Sequence, residues 1–219
     1  MKKCYLFCLG LAAASLVLIL CGCDSASSGP RSVPQLQAVR AIQIEEDWGG
    51  FNDLAPVIAH YDLVSTNGTF KGTGFFSVGG QSGIPGCEAV TSTVDITIPG
   101  SAMHDLLDTL QKVRPEAGAY PTPSCCDDYA SLKIDLNLPT EHVVFFSTSD
   151  AGEFILTPPP DDRMPWRGLY GHVPWAVTLD GNTYIVNSAL PAQGLAAIDS
   201  YLRKDVWTLL EGKYCPRPR

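Results

Sequence analysis

The sequence predicts an α+β domain, a mainly antiparallel, loop-rich sheet with two amphipathic helices packed on one face. Three observations predict it: apolar and polar residues alternate over many short stretches, turn-forming pairs separate them, and only two segments carry a helical apolar stripe. Composition agrees, since 20 Gly and 17 Pro make up about 17% of the 219 residues, against a usual ~12%. With 45% apolar residues the chain can bury one sizeable core, so residues 38–219 are expected to form a single domain.

Ala38 to Glu46 alternates in part and reads as the first strand. Val57 to Ser65 and Thr69 to Val78 flank Thr66-Asn67-Gly68, a turn that tolerates positive φ, and predict a hairpin. Ala89 to Ile98 alternates Val90, Val94, Ile96 and Ile98. Ser101 is placed to cap a helix running to about Val113, with Met103, Leu106, Leu107 and Leu110 on one face. Leu132, Ile134, Leu136 and Leu138 alternate as a strand with one buried face, and Val143 to Ser147 adds another. Trp175 to Asn187 reads as a hairpin folded at Asp180-Gly181-Asn182. Pro191 opens a second helix predicted to reach about Leu210, with Leu195, Ile198, Leu202, Val206 and Leu209 as its stripe and Asp199 and Arg203 able to pair outside. A faint internal repetition is visible. Tyr61 to Phe70 and Trp175 to Tyr184 are both aromatic-led hairpins, and Ile98-Pro99 and Leu190-Pro191 both launch helices.

The first residues carry an address. Lys2 and Lys3 precede a run of 16 residues, Tyr5 to Leu20, broken only by Gly10 and Ser15. That is just under the ~17 to 25 residues of a spanning helix and has the charged-then-apolar order of an export signal. The run ends Leu20-Cys21-Gly22-Cys23, which resembles the signal peptides of bacterial lipoproteins. In that family a branched apolar residue and two small residues precede a Cys that receives a diacylglyceryl thioether. Cys21 departs from the usual Ala, Ser or Gly but is nearly as small. The resemblance implies a signal peptide over 1–22, lipidation of Cys23 as the first residue of the mature chain, and a domain held outside the membrane. The alternative is an uncleaved anchor of the same topology, with the lysines cytoplasmic. Residues 23–37, small and polar with Pro30 and Pro34, read as a flexible tether.

Charge excludes one class of partner. With 15 Lys+Arg against 23 Asp+Glu, a net charge of -8 offers no basic stripe for phosphates, and no nucleic acid partner is expected. Loss of Lys2 and Lys3 with the signal would take the net charge from -8 to -10, so the domain is expected to project from anionic headgroups.

Beyond the signal and Cys23, the cysteines are Cys87, Cys125, Cys126 and Cys215, an even number that suits two disulfides outside the cytoplasm. A bond between the neighbours Cys125 and Cys126 would close a strained ring, so each is expected to reach Cys87 or Cys215. A metal or redox role for Cys125-Cys126-Asp127-Asp128 lacks further ligands at zinc-like spacing. Acidic runs at Glu45-Glu46-Asp47, Asp127-Asp128 and Asp161-Asp162 do not follow a calcium-loop pattern, and His60, His104, His142 and His172 are scattered. No nucleophile elbow, zinc helix, phosphate loop or dinucleotide turn occurs, so no catalytic residue, metal or cofactor is assigned.

The most suggestive surface is aromatic. Trp48 and Phe51 flank Gly49-Gly50, and Trp166, Tyr170, His172 and Trp175 lie along a Pro- and Gly-rich stretch that begins after Pro158 to Pro160. Such rings can offer flat faces to a glycan or an envelope protein, and Trp175 can equally begin a strand as a core residue. These features together predict a membrane-anchored binding module of the cell envelope. The alternatives are an envelope hydrolase using dispersed carboxylates and a structural envelope protein without a ligand.

Overall fold

A computed structural model describes residues 32–48, 57–78, 90–121, 130–148, 153–154 and 172–202. After a 3-10 turn at Leu36–Ala38, the first half runs β1 (Ala41–Trp48), β2 (Val57–Thr66), β3 (Thr69–Val78), β4 (Val90–Pro99) and α1 (Gly100–Gln111). The second half runs β5 (Ala130–Asn137), β6 (His142–Thr148), β7 (Glu153–Phe154), β8 (His172–Val173), β9 (Trp175–Leu179), β10 (Asn182–Val186), α2 (Leu190–Ala196) and α3 (Asp199–Leu202). Eight strands form one sheet in the order β10-β9-β6-β5-β1-β2-β3-β4, and every neighbouring pair is antiparallel. β7 and β8 form a separate two-stranded ribbon. The α+β class and the mainly antiparallel sheet expected from the sequence are those observed.

Each half is a four-stranded meander followed by a helix, and the halves meet where β1 pairs with β5. Rotation about the Ile44–Ile134 pair carries β1 onto β5 and β4 onto β10 with one shift of 90 positions, and α1 and α2 begin 90 positions apart at Gly100 and Leu190. The same rotation sets Tyr61 on Phe145, two aromatic core residues. The equivalence differs from the one suggested by the sequence. The helix entries correspond, but Tyr61–Phe70 belongs to β2–β3 and Trp175–Tyr184 to β9–β10, which occupy different places in their halves.

Local chemistry explains the turns. Asn67 and Gly68 take φ of 50° and 74°, and Asp180 and Gly181 take 46° and 74°, the left-handed pairs that match the twist of a two-residue hairpin. α1 is capped two residues earlier than expected. Pro99 closes β4 and serves as N-cap with no side-chain cap bond, so Ser101 lies inside the helix.

One face of the sheet is buried. Ile42 and Ile44 of β1, Tyr61 and Leu63 of β2, Ile96 and Ile98 of β4, Ile134 and Leu136 of β5 and Val143 and Phe145 of β6 point to it at every second position. Over them lie Met103, Leu106, Leu107 and Leu110 of α1 and Ala192 and Leu195 of α2. Tyr61 meets Phe76 edge to face, with ring centroids 5.4 Å apart.

Two expectations are corrected here. Residues 32–37 are part of the domain and not a tether, because Val33 and Leu36 are buried in its core. Gln111 holds this segment at both ends: its Oε1 accepts from the Leu36 N–H at 2.9 Å and its Nε2 donates to the Val33 carbonyl at 2.9 Å. The second helix is interrupted, with α2 ending at Ala196 and α3 opening at Asp199. Between them the N–H groups of Ala197 and Ile198 bond to carbonyls three residues back, which tightens the chain, yet Leu195, Ile198 and Leu202 all remain buried. Val206, Leu209 and Arg203 lie outside the described residues. Among the described residues no helix is long and apolar enough to cross a membrane.

Candidate functional site

The alternation that fills the core leaves a second set of side chains on the opposite face. The strand registers align them in rows that cross the sheet. One row runs Phe146, Lys133, Glu45, His60, Phe75, Thr93, and the next runs Val144, Asp135, Gln43, Asp62, Thr73, Asp95.

Polar contacts join neighbouring strands along these rows. Lys133 Nζ donates to Glu45 Oε1 at 3.1 Å, and Gln43 Nε2 donates to Asp62 Oδ1 at 2.8 Å. His142 Nδ1 stands 3.5 Å from Asp135 Oδ1. The His60 and Phe75 rings meet edge to face with centroids 6.4 Å apart, and Phe75 is exposed. Two shallow hollows adjoin on this face. One, of about 350 Å³, is lined by Gln43, Asp62, Asp135, Asn137 and His142, and the other, of about 280 Å³, by Glu45, Asp47, His60, Lys133 and Phe146.

The β9–β10 side of this face is covered. The chain after α1 crosses the sheet edge, where Glu116 and Ile185 form a bridge, and Tyr120 packs on Phe146 with centroids 4.8 Å apart. Tyr120 Oη accepts from the Thr148 N–H at 3.1 Å. The part over which no described segment lies spans β5 and β1 to β4. On it Glu45, Asp47, Asp62, Asp95 and Asp135 outnumber Lys71 and Lys133, so among the described residues the face is acidic.

The residues singled out from the sequence fall elsewhere. Cys23, Phe51, Cys87, Cys125, Cys126, Trp166, Tyr170 and Cys215 lie outside the described residues. The backbone of Trp48 closes β1 and that of His172 opens β8, while their side chains lie outside the description. Trp175 is a core residue and not part of an exposed surface: it is 0% exposed, on the helix-covered side of β9, and its Nε1 has no hydrogen-bond partner among the described residues. The run Glu45-Glu46-Asp47 is divided by the strand, since Glu45 and Asp47 face out while Glu46 points inward, 2% exposed. His104 and Asp108 form an exposed i, i+4 pair on α1, at 3.5 Å. Among the described residues no three His, Cys, Asp or Glu side chains gather as a metal site.

Gln43, Asp62, Lys133, Asp135 and Phe75 are the residues that sequence reasoning missed. Each sits at a polar-face position of a recognised strand, and the signal that unites them is strand register, which no local pattern carries.

The comparisons add no relative: no family model, curated protein or solved structure matches the chain.

Proposed function

We propose that the protein is a lipid-anchored extracytoplasmic binding module whose recognition surface is the polar face of the sheet. The anchor reading rests on Leu20-Cys21-Gly22-Cys23 behind a 16-residue apolar run, with Cys23 carrying the lipid and the domain in the cell envelope. The binding reading rests on one observation. A face with five carboxylates, two lysines and an exposed Phe75 lies between β5 and β4, opposite the helices, with no described segment packed over it.

Its chemistry selects the partner. Clustered carboxylates attract basic side chains, Gln43 and the threonines offer hydrogen bonds, and Phe75 offers an apolar platform. The partner is accordingly an envelope protein presenting basic residues. A neutral glycan, which would use the hydrogen-bonding groups and the ring without the charges, is the alternative reading.

A photo-crosslinking residue at Thr73, between Asp62 and Asp95 in the same row, tests this in intact cells. The expected product is one discrete protein adduct, lost when Asp62→Lys and Asp95→Lys are combined in a chain that still folds. A heterogeneous, polysaccharide-sensitive adduct that survives the charge reversal would favour the glycan, and absence of any adduct would sink the binding reading.

A further inference from the structure

Among the described residues the two edges of the sheet differ. At β10 the edge is covered: the Glu116 N–H donates to the Ile185 carbonyl at 2.8 Å, the Ile185 N–H donates back at 3.0 Å, and Asn187 Nδ2 donates to Glu116 Oε2 at 2.8 Å. At β4, ten residues long, no described segment pairs with the outer edge. Exposed edges are usually blunted by a bulge, a lysine or a proline, because their free N–H and C=O groups template further pairing. β4 pairs with β3 residue for residue without a bulge, carries no lysine, and meets proline only at its last position, Pro99.

Apolar surface lies on both flanks of this edge. Phe75, on β3 beside it, is 41% exposed on the polar face, and Tyr201 of α3 is 39% exposed on the helix side, where α3 packs against β4. Together with Val64 these are the exposed large hydrophobic residues among the described ones, so two of the three border one edge.

We propose that β4 is a self-association edge, and that a second copy of this chain pairs with it antiparallel about a two-fold axis to give one continuous sheet. Such an axis, perpendicular to the sheet, keeps the helices of both copies on one side, so inward positions of β4 meet inward positions and outward meet outward. A register centred on Asp95 would set that carboxylate against its own copy. Centring on Val94 sets Thr93 opposite Asp95 at two symmetric places and Thr91 opposite Thr97, giving each carboxylate a hydroxyl donor and avoiding like charges. In this register Val90 meets Ile98, so the pairing uses nearly the whole strand. The strand is thus complementary to itself, which favours a second copy over an unrelated peptide. This inference does not depend on what the polar face binds.

The test is sedimentation velocity on the full chain extracted from membranes in detergent, comparing wild type with Thr93→Asp and Thr93→Lys. Wild type is expected to sediment as a dimer. Thr93→Asp places two carboxylates face to face twice and should raise the dissociation constant at least about tenfold, whereas Thr93→Lys faces Asp95 with an opposite charge and should leave the dimer as tight or tighter. A monomeric wild type, or Asp and Lys variants that behave alike, would overturn the proposal. If Thr93→Asp fails to fold, hydrogen exchange of wild type decides: the alternate amides of residues 91–97 that point away from β3 should exchange more slowly as protein concentration rises, and no concentration dependence would overturn it.

Discussion

Lys133 Nζ and Glu45 Oε1 meet at 3.1 Å across the seam where the two four-stranded halves join. Their Cα atoms are direct partners in the β1–β5 register. Both side chains are more than a third exposed, at 38% and 39%, so solvent screens most of their attraction. Their larger effect is on the face itself, where Lys133 is one of two lysines among five carboxylates.

Replacing Lys133 with Met should therefore change stability by less than about 1 kcal/mol. The same variant should strengthen crosslinking of a basic partner at Thr73, because it removes a positive charge from an acidic face. Urea unfolding and adduct yield measure the two effects. A stability loss above ~2 kcal/mol would mean that the ion pair, and not the core beneath it, holds the seam.

Helix packing predicts a graded response at Gly194. A Cβ there would stand 2.9 Å from Leu106 Cδ1 and 3.3 Å from the Leu106 carbonyl oxygen, so α2 crosses α1 at a close approach. Gly194→Ala should be nearly neutral, since the helix propensity gained, about 1 kcal/mol, offsets the push on a flexible side-chain end. Gly194→Val, with two further methyl groups against the backbone, should cost about 1–3 kcal/mol in thermal unfolding. Equal effects of the two would count against the crossing.

The segment before β1 makes a third prediction. Leu36 is 0% exposed, so Leu36→Ala should destabilise the domain by about 2–5 kcal/mol, read by chemical denaturation. A substitution in a free tether would leave the midpoint unmoved.

The strand ends leave the cysteine pairing expected from the sequence within reach. β4 begins at Val90 and β5 at Ala130, at one end of the sheet and four strand spacings apart, or about 19 Å at ~4.8 Å per step. Three residues from Val90 to Cys87 and four from Ala130 to Cys126 span up to about 23 Å at ~3.3 Å each, and a disulfide adds ~5.5 Å between Cα atoms. Non-reducing peptide mass spectrometry should find Cys87 joined to Cys125 or Cys126. Alkylation of Cys87 without prior reduction would contradict this.

For the anchor, Cys23→Ser should leave an unprocessed precursor that takes up no fatty-acid label. A labelled and normally processed mutant would place the modification elsewhere.

Much of the architecture could be read from short stretches of chain. Asn67-Gly68 and Asp180-Gly181 announce two hairpins because few residue pairs accept positive φ twice in succession, and the stripe Met103, Leu106, Leu107, Leu110 places α1 within two residues of its observed ends. The candidate face was not legible in this way. Asp62 and Asp135 look like ordinary polar-face residues until the registers of β2, β1 and β5 bring them to either side of Gln43. Leu36 misled for a related reason, since a polar neighbourhood says little about what packs on a side chain from afar, and for Trp175 only the fold chose between the surface and core readings.

Period-two alternation determined which side of each strand is apolar, because that depends on residues two positions apart, and the turn pairs determined where the chain reverses. Tertiary structure alone decided that β5 lies against β1 and that β4 is the last described strand at its edge. These outcomes come from burying two meanders under a shared layer of helices, a gain that exists only once segments some 90 residues apart in the chain have met.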